Sequence, residues 1–308
     1  MRKYRKKTSK NQNFCILFYT FVANISRLKT MRYLLCFMLT LVAAGCTTKD
    51  DTTNQNAIYV TIAPLRAVVE EVTCHDFDVE ILVPKGAGPE TFEPTAKQLT
   101  ALANAEFVFS TGLITFEQNL TESVSKERLV DLSRNITLIE GSCSHGHHHS
   151  HGVDPHIWTS PRALKTMTLN IRDAIMERYP DSAKYATATE ELIARLDSLD
   201  DYCRSKVEES EIKSMMIYHP AYTYYARDYG IEQIAIEHDG KEPTPKRLTA
   251  LSDRAKCDNI GVILLQPQYS IDKVRPIAQA AGAEVVIADP LSEDIEGEIR
   301  RITDIICE

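Results

Sequence analysis

The sequence has no excess of basic residues. Its 35 Lys and Arg stand against 43 Asp and Glu, a net charge of -8. That balance argues against nucleic acid as the partner, which a basic surface would attract. No C-x-x-C pair occurs among the eight cysteines, so neither a zinc knuckle nor a dithiol redox centre of that spacing is available. There is no H-E-x-x-H helix and no G-x-S-x-G elbow, which removes the usual signatures of a zinc peptidase and a serine hydrolase. No unit of roughly 20–50 residues recurs, so a repeat array is excluded. The apolar run within 34–45 falls short of the ~20 residues that a membrane-spanning helix needs.

What is present is histidine, and it is concentrated. Six of the nine histidines lie in twelve residues, from His145 through His147, His148, His149 and His151 to His156. Neutral imidazole is the commonest side-chain ligand for Zn²⁺ and related ions near neutral pH. Gly146, Ser150 and Gly152 break helix and strand, so 144–152 is expected to be a loop that collects metal without fixing its geometry. The bland alternative is an incidental polyhistidine loop. His156 differs: Pro155 precedes it and Trp158, the only tryptophan, follows, which points to a ligand on an ordered element.

The length of 308 residues, with 44% hydrophobic and 25% charged side chains, fits an ordinary globular chain of about two domains. Residues 1–46 form a leader. Met31 begins a short basic segment and an apolar stretch of secretory type, and Met31 is an alternative start. The stretch closes on Ala43-Ala44-Gly45-Cys46, which resembles a bacterial lipobox with Ala43 where Leu is usual. Cys46 is therefore expected to carry lipid; a plain secretory signal is the alternative. Residues 47–56 are polar and read as a tether. Five cysteines follow Cys46, an odd number, so at least one stays free. Cys257 and Cys307 share the last third and are the expected disulfide, the alternative being two buried thiols.

Beyond the tether, strand and helix signals alternate. Strands are expected at 58–62, 77–83, 106–110 and 129–132, with helices at 64–72, 96–105 and 116–124. Pro161 opens a helix to Arg178, and a second, unusually long helix runs over 181–209. The alternation then resumes, with strands at 214–218, 231–236, 259–265 and 284–288 and helices at 220–229, 244–256, 271–281 and 295–306. This predicts an α/β fold of two lobes, 57–180 and 210–308. Each has a mostly parallel sheet flanked by helices, and the long helix is a rigid linker. In open α/β sheets, ligands bind beyond the carboxyl ends of strands. Glu90, His219 and Asp289 fall at such ends and His156 precedes a helix, so these four are the candidate metal ligands. Each has a plainer reading: Glu90 an exposed loop carboxylate, His156 a helix-capping histidine, His219 a satisfied core histidine and Asp289 a helix-start or turn aspartate. Tyr222, Tyr224 and Tyr225 are expected in core and rim, and His75 and His238 at the surface.

Several segments together resemble the zinc- and manganese-binding substrate-binding lipoproteins of ABC transporters, with the TroA-like fold. They are Gly86-Ala-Gly-Pro-Glu-Thr-Phe-Glu-Pro-Thr95, Asp154-Pro-His-Ile-Trp158, the stretch from His219 to Gly230, Gln266-Pro-Gln268 and Ala288-Asp-Pro-Leu291. The resemblance covers about 57–308. It implies one metal ion between the lobes, held by Glu90, His156, His219 and Asp289. It also implies delivery to a permease and ATPase of an importer, and a monomer lipid-anchored in the bacterial envelope with no enzymatic activity. Glu90 stands where the family usually has His, so a histidine of the 145–151 loop is an alternative fourth ligand. Zn²⁺ is favoured by the imidazoles and by the Irving–Williams order, while Mn²⁺ suits a carboxylate-rich set. A surface zinc-storage or adhesion lipoprotein is a further reading, and a metallohydrolase using Glu90 or Glu93 as base is disfavoured.

Overall fold

Short apolar runs bounded by Pro, Gly and polar residues become the strands of two parallel sheets. In the computed structural model the described residues are 57–140, 152–237 and 241–308. The first sheet contains β1 (Ile58–Val60), β2 (Val79–Ile81), β3 (Phe107–Ser110) and β4 (Leu129–Asp131), in the order β2-β1-β3-β4. The second contains β5 (Ser214–Ile217), β6 (Glu232–Ala235), β7 (Val262–Leu265) and β8 (Glu284–Ile287), in the order β6-β5-β7-β8. Every pairing between these strands is parallel. Central strands covered on both faces read as near-continuous apolar runs; all four residues of β3 are buried, with Ser110 at its carboxyl end the one polar member. The two sheets share one strand order, so each has a switch point beside its first strand, where chain crossings part and leave a crevice.

The helices are α1 (Pro64–Val72), α2 (Ala96–Asn104), α3 (Thr115–Gln118), α4 (Pro161–Arg178), α5 (Ala183–Ser210), α6 (Thr223–Tyr229), α7 (Pro245–Cys257), α8 (Arg275–Ala281) and α9 (Ile295–Cys307). The linker α5 has 28 residues, about 42 Å at 1.5 Å per residue. Its buried positions Tyr185, Thr189, Leu192, Leu196, Leu199, Cys203 and Val207 recur every three or four residues, the stripe of an amphipathic helix. That stripe packs on α1, α4 and α9, and so on elements from both lobes. Arg195 on its outer face donates to Glu71 of α1 at 2.5 Å and to Glu296 of α9 at 3.0 Å.

Three expected helices are shorter or divided. The one expected over 116–124 becomes α3 and a 3₁₀ turn at Leu120–Glu122, separated at Asn119. The one expected from Pro220 starts at Thr223, because Gln233 takes the Tyr222 N–H at 2.7 Å and Ala221 N–H bonds back to His219 O. Pro276 has no N–H to donate, and 271–281 divides into a 3₁₀ turn and α8. The expected disulfide is also absent: Cys257 and Cys307 are free thiols. Cys257 ends α7 in solvent, whereas the half-buried Cys307 thiol is engaged by Ser210 at the end of α5. Cys46 and the 145–151 histidines lie outside the described residues. Among the described residues, no helix is long and apolar enough to cross a membrane.

Candidate metal centre

Three side chains from three separate loops converge. Glu90 sits in the 3₁₀ turn Pro89–Thr91 after β2, His156 opens the turn Ile157–Thr159 before α4, and His219 follows β5. One ligand atom from each lies within 4.8 Å of the others. Glu90 Oε1 is 3.0 Å from His219 Nε2 and 3.8 Å from His156 Nε2. The imidazole centroids are 5.2 Å apart with planes at 72°. Both histidines are buried, at 4% and 6% exposure. Trp158, Gln266 and Tyr269 are among the other residues lining a cavity of about 80 Å³, far below the several hundred Å³ of a typical organic-ligand pocket.

The far side of each imidazole is fixed by a carboxylate. His156 Nδ1 donates to Asp154 Oδ1 at 2.9 Å, and the same oxygen accepts the His156 backbone N–H at 2.9 Å. His219 Nδ1 donates to Glu237 Oε1 at 2.7 Å. A carboxylate of this kind only accepts, so each Nδ1 carries a proton and each Nε2 is directed at Glu90. This is the outer arrangement that orients metal-binding histidines and raises their basicity. Asp154 is itself held by the turn: its carbonyl accepts from Tyr224 Oη at 2.7 Å. Burial opposes its ionisation, but the His156 imidazole and the hydrogen bonds from His156 and Thr223 outweigh burial and hold its pKa below the ordinary value.

His219 is clamped through its backbone as well. Gln266, at the end of β7, accepts from His219 N–H at 3.3 Å and donates to His219 O at 2.6 Å. Glu237 arrives because the pairing of β6 with β5 continues two residues past the strand, with Ile236 N–H bonded to Ile217 O at 2.9 Å and Glu237 N–H to Tyr218 O at 3.0 Å. Burial opposes charge on His219, but hydrogen bonds to Glu237 and Glu90, and their negative charges, raise its pKa to about 9. Three carboxylates thus surround two imidazoles, a negative balance that a divalent cation would neutralise.

Asp289 does not join this group. It is half-buried in an adjoining cavity that shares Gln268 and Leu291 with the first. Its Oδ1 accepts Leu291 N–H at 3.0 Å, and its own N–H is bonded to Glu298 at 2.7 Å. The turn geometry of Asp-Pro-Leu accounts for this placement. Trp158 reaches the same loop and donates from its indole to Pro290 O at 2.7 Å. Tyr222, Tyr224 and Tyr225 are fully buried, while His75 and Glu93 are exposed; His238 lies outside the described residues. Sequence reasoning missed Glu237 altogether. Its one signal was an acidic residue at the carboxyl end of the strand expected over 231–236.

Two parallel α/β lobes joined by a long helix, with an imidazole–carboxylate pocket among the strand-end loops, are the architecture of a solute-binding protein. The chain belongs to the family described as zinc-uptake complex component A, periplasmic, whose model matches residues 58–304. It is 26% identical over 271 residues to the zinc-binding protein AdcA of Streptococcus pyogenes, covering 79% of this chain and 52% of that protein. It is 29% identical over 273 residues to the high-affinity zinc uptake system protein ZnuA of Bacillus subtilis, covering 83% of this chain and 86% of that protein. The chain therefore spans about half the length of the first of these relatives and most of the second. A crystal structure of a ZnuA deletion mutant with zinc bound superposes with a TM-score of 0.73 at 31% identity, covering 82% of this chain and 96% of that one.

Proposed function

We propose that this chain is the zinc-capturing component of an ABC importer. One Zn²⁺ is taken by His156 Nε2, His219 Nε2 and the Glu90 carboxylate. Asp289 turns in from its neighbouring loop as the fourth ligand. Lipid on Cys46 holds the protein at the outer side of a membrane, and a permease with its ATPase receives the metal. The observation that carries this reading is the pair of buried imidazoles whose Nδ1 atoms are tied to Asp154 and Glu237 and whose Nε2 atoms are aimed at Glu90. Imidazole and carboxylate ligands suit Zn²⁺ at about 2.0–2.2 Å. Four protein ligands leave no position for an activated water, as a carrier requires and a hydrolase does not.

The 145–151 histidines act as a collector and not as part of the tight site. Competition calorimetry with Zn²⁺ and Mn²⁺ tests both statements, on the chain without its leader and on the same chain lacking 144–152. One tight Zn²⁺ site that survives removal of the loop is expected. Loss of that site with the loop would make a loop histidine the missing ligand. Tight Mn²⁺ with weak Zn²⁺ would make this a manganese carrier of the same fold, and several sites of equal affinity would favour zinc storage.

A further inference from the structure

Glu90 stands within a loop, residues 83–94, whose two stems are joined by one side chain. The incoming stem is the end of β2, where Leu82 N–H and Val83 N–H still bond to Val60 O and Thr61 O. The outgoing stem is Thr95, the N-cap of α2. Gln98, in the first turn of α2, touches both. Its Nε2 donates to Leu82 O at 3.1 Å, and its Oε1 accepts from Thr95 N–H and Thr95 Oγ1, each at 2.9 Å.

Half of this is helix capping. Thr95 Oγ1 accepts Gln98 N–H at 3.3 Å and, with the Oε1 contact, completes a capping box, which Gln or Glu serves equally. The donation to Leu82 O is no part of that box. It needs the amide nitrogen, and it reaches back sixteen residues across the loop. Inside the loop, Ala87, Thr91 and Phe92 N–H bond to Pro84, Gly88 and Pro89 O, which shapes the loop without tying it to its surroundings. Phe92 adds an outside contact two residues past Glu90, edge-on to the buried Phe116 at 5.2 Å. Loops with few holds open locally at little cost. A ligand in place only part of the time lowers apparent affinity by that fraction.

We propose that Gln98 is a positioning residue for Glu90. By clasping the two stems of 83–94 it keeps the Glu90 carboxylate beside His219 Nε2, at 3.0 Å, so that an arriving ion meets a gathered site. The same side chain thus caps a helix with its oxygen and closes a ligand loop with its nitrogen. The inference rests on Glu90 being a metal ligand, as proposed above.

Two variants separate the clasp from the cap. Gln98→Glu keeps the capping-box acceptor and loses the donor to Leu82 O. Thr95→Ala loses the cap hydroxyl and keeps the Gln98 contacts to Thr95 N–H and Leu82 O. The test is Zn²⁺ competition titration of both, of Glu90→Ala and of Glu90→Ala with Gln98→Glu, with thermal melting of each metal-free protein. Gln98→Glu should weaken Zn²⁺ binding roughly tenfold, because the Leu82 carbonyl loses its donor and faces a carboxylate. Thr95→Ala should lower the melting temperature more than Gln98→Glu does, as loss of a cap demands, and bind Zn²⁺ almost as tightly as the wild type. In the Glu90→Ala background, Gln98→Glu should cost nothing further. Unchanged Zn²⁺ binding by Gln98→Glu would overturn the inference, as would an equal loss with and without Glu90. So would a Thr95→Ala protein that loses as much affinity as Gln98→Glu, since capping alone would then explain both. Unchanged binding by Glu90→Ala would remove Glu90 from the ligand set, and this inference with it. Weakened binding by Glu90→Ala beside an unaffected Gln98→Glu would sink this inference alone.

Discussion

The two halves of the candidate metal centre hold their imidazoles in different ways. The His156 half is local: Asp154 lies two residues away and accepts from both the backbone and the ring of His156, and Tyr224 holds the Asp154 carbonyl. The His219 half is assembled from three strands. His219 follows β5, Glu237 follows β6 and Gln266 follows β7, separated from His219 by 18 and 47 residues. The local half is thus a turn that positions its ligand whenever it forms. The distant half exists only when the second sheet is complete. In the first, one carboxylate sets both backbone and tautomer; in the second, those tasks are divided between Gln266 and Glu237.

The largest effects should come from the ligands themselves. His156→Ala and His219→Ala should each lower Zn²⁺ affinity by well over a hundredfold in competition titration. A loss confined to one of them would mean that the two halves do not share an ion. Removal of the supporting carboxylates should follow, at about 10–100-fold, and here the halves should differ. Asp154→Ala should lower both affinity and metal-free melting temperature, because a turn is lost with the ring contact. Glu237→Gln should lower affinity with less loss of stability. Equal melting temperatures for the two variants would break the distinction between a local and an assembled half.

Protons sharpen the comparison further. His219 has its folded pKa raised from 6.5 to about 9. Its charged hydrogen bonds therefore contribute stability that is fully present below about pH 6.5 and is lost as pH rises through about 9. Melting of the metal-free protein should weaken over that window, and Glu237→Gln should flatten the slope. Zn²⁺ must displace the proton from Nε2, so loading at pH 7.5 should release a proton measurable as a buffer-dependent heat, and Glu237→Gln should reduce it. Gln266→Ala should produce the smallest effect. It removes two hydrogen bonds to the His219 backbone, one of them long at 3.3 Å; with the shorter bond worth on the order of 1 kcal/mol net, a loss of roughly fivefold in affinity is expected at unchanged His156 geometry.

The same contrast governs what could be read from the residues. The alternation of strand and helix, the long linker and the Asp154-Pro-His156 turn depend on neighbours in sequence, and they stood out. So did Glu90 and His219, because a strand end followed by Pro or Gly marks a binding loop. Glu237 did not, since its role comes from the adjacency of β5 and β6, which no local pattern encodes. Asp289 was placed at a strand end correctly, yet its side chain folds back onto Leu291 through an Asp-Pro turn. Cys257 and Cys307 share a region of sequence, but Ser210 engages the thiol of one while the other ends a helix in solvent. Nearness along the chain carried no information about whether the two sulfurs meet.

The most direct measurement is zinc K-edge X-ray absorption on the loaded chain, intact and lacking 144–152. The account predicts the same spectrum in both: two imidazoles with oxygen ligands, at about 2.0–2.2 Å, and no sulfur. A third imidazole that disappears with the loop would contradict it, because Glu90 would then have yielded its place to a histidine from 145–151.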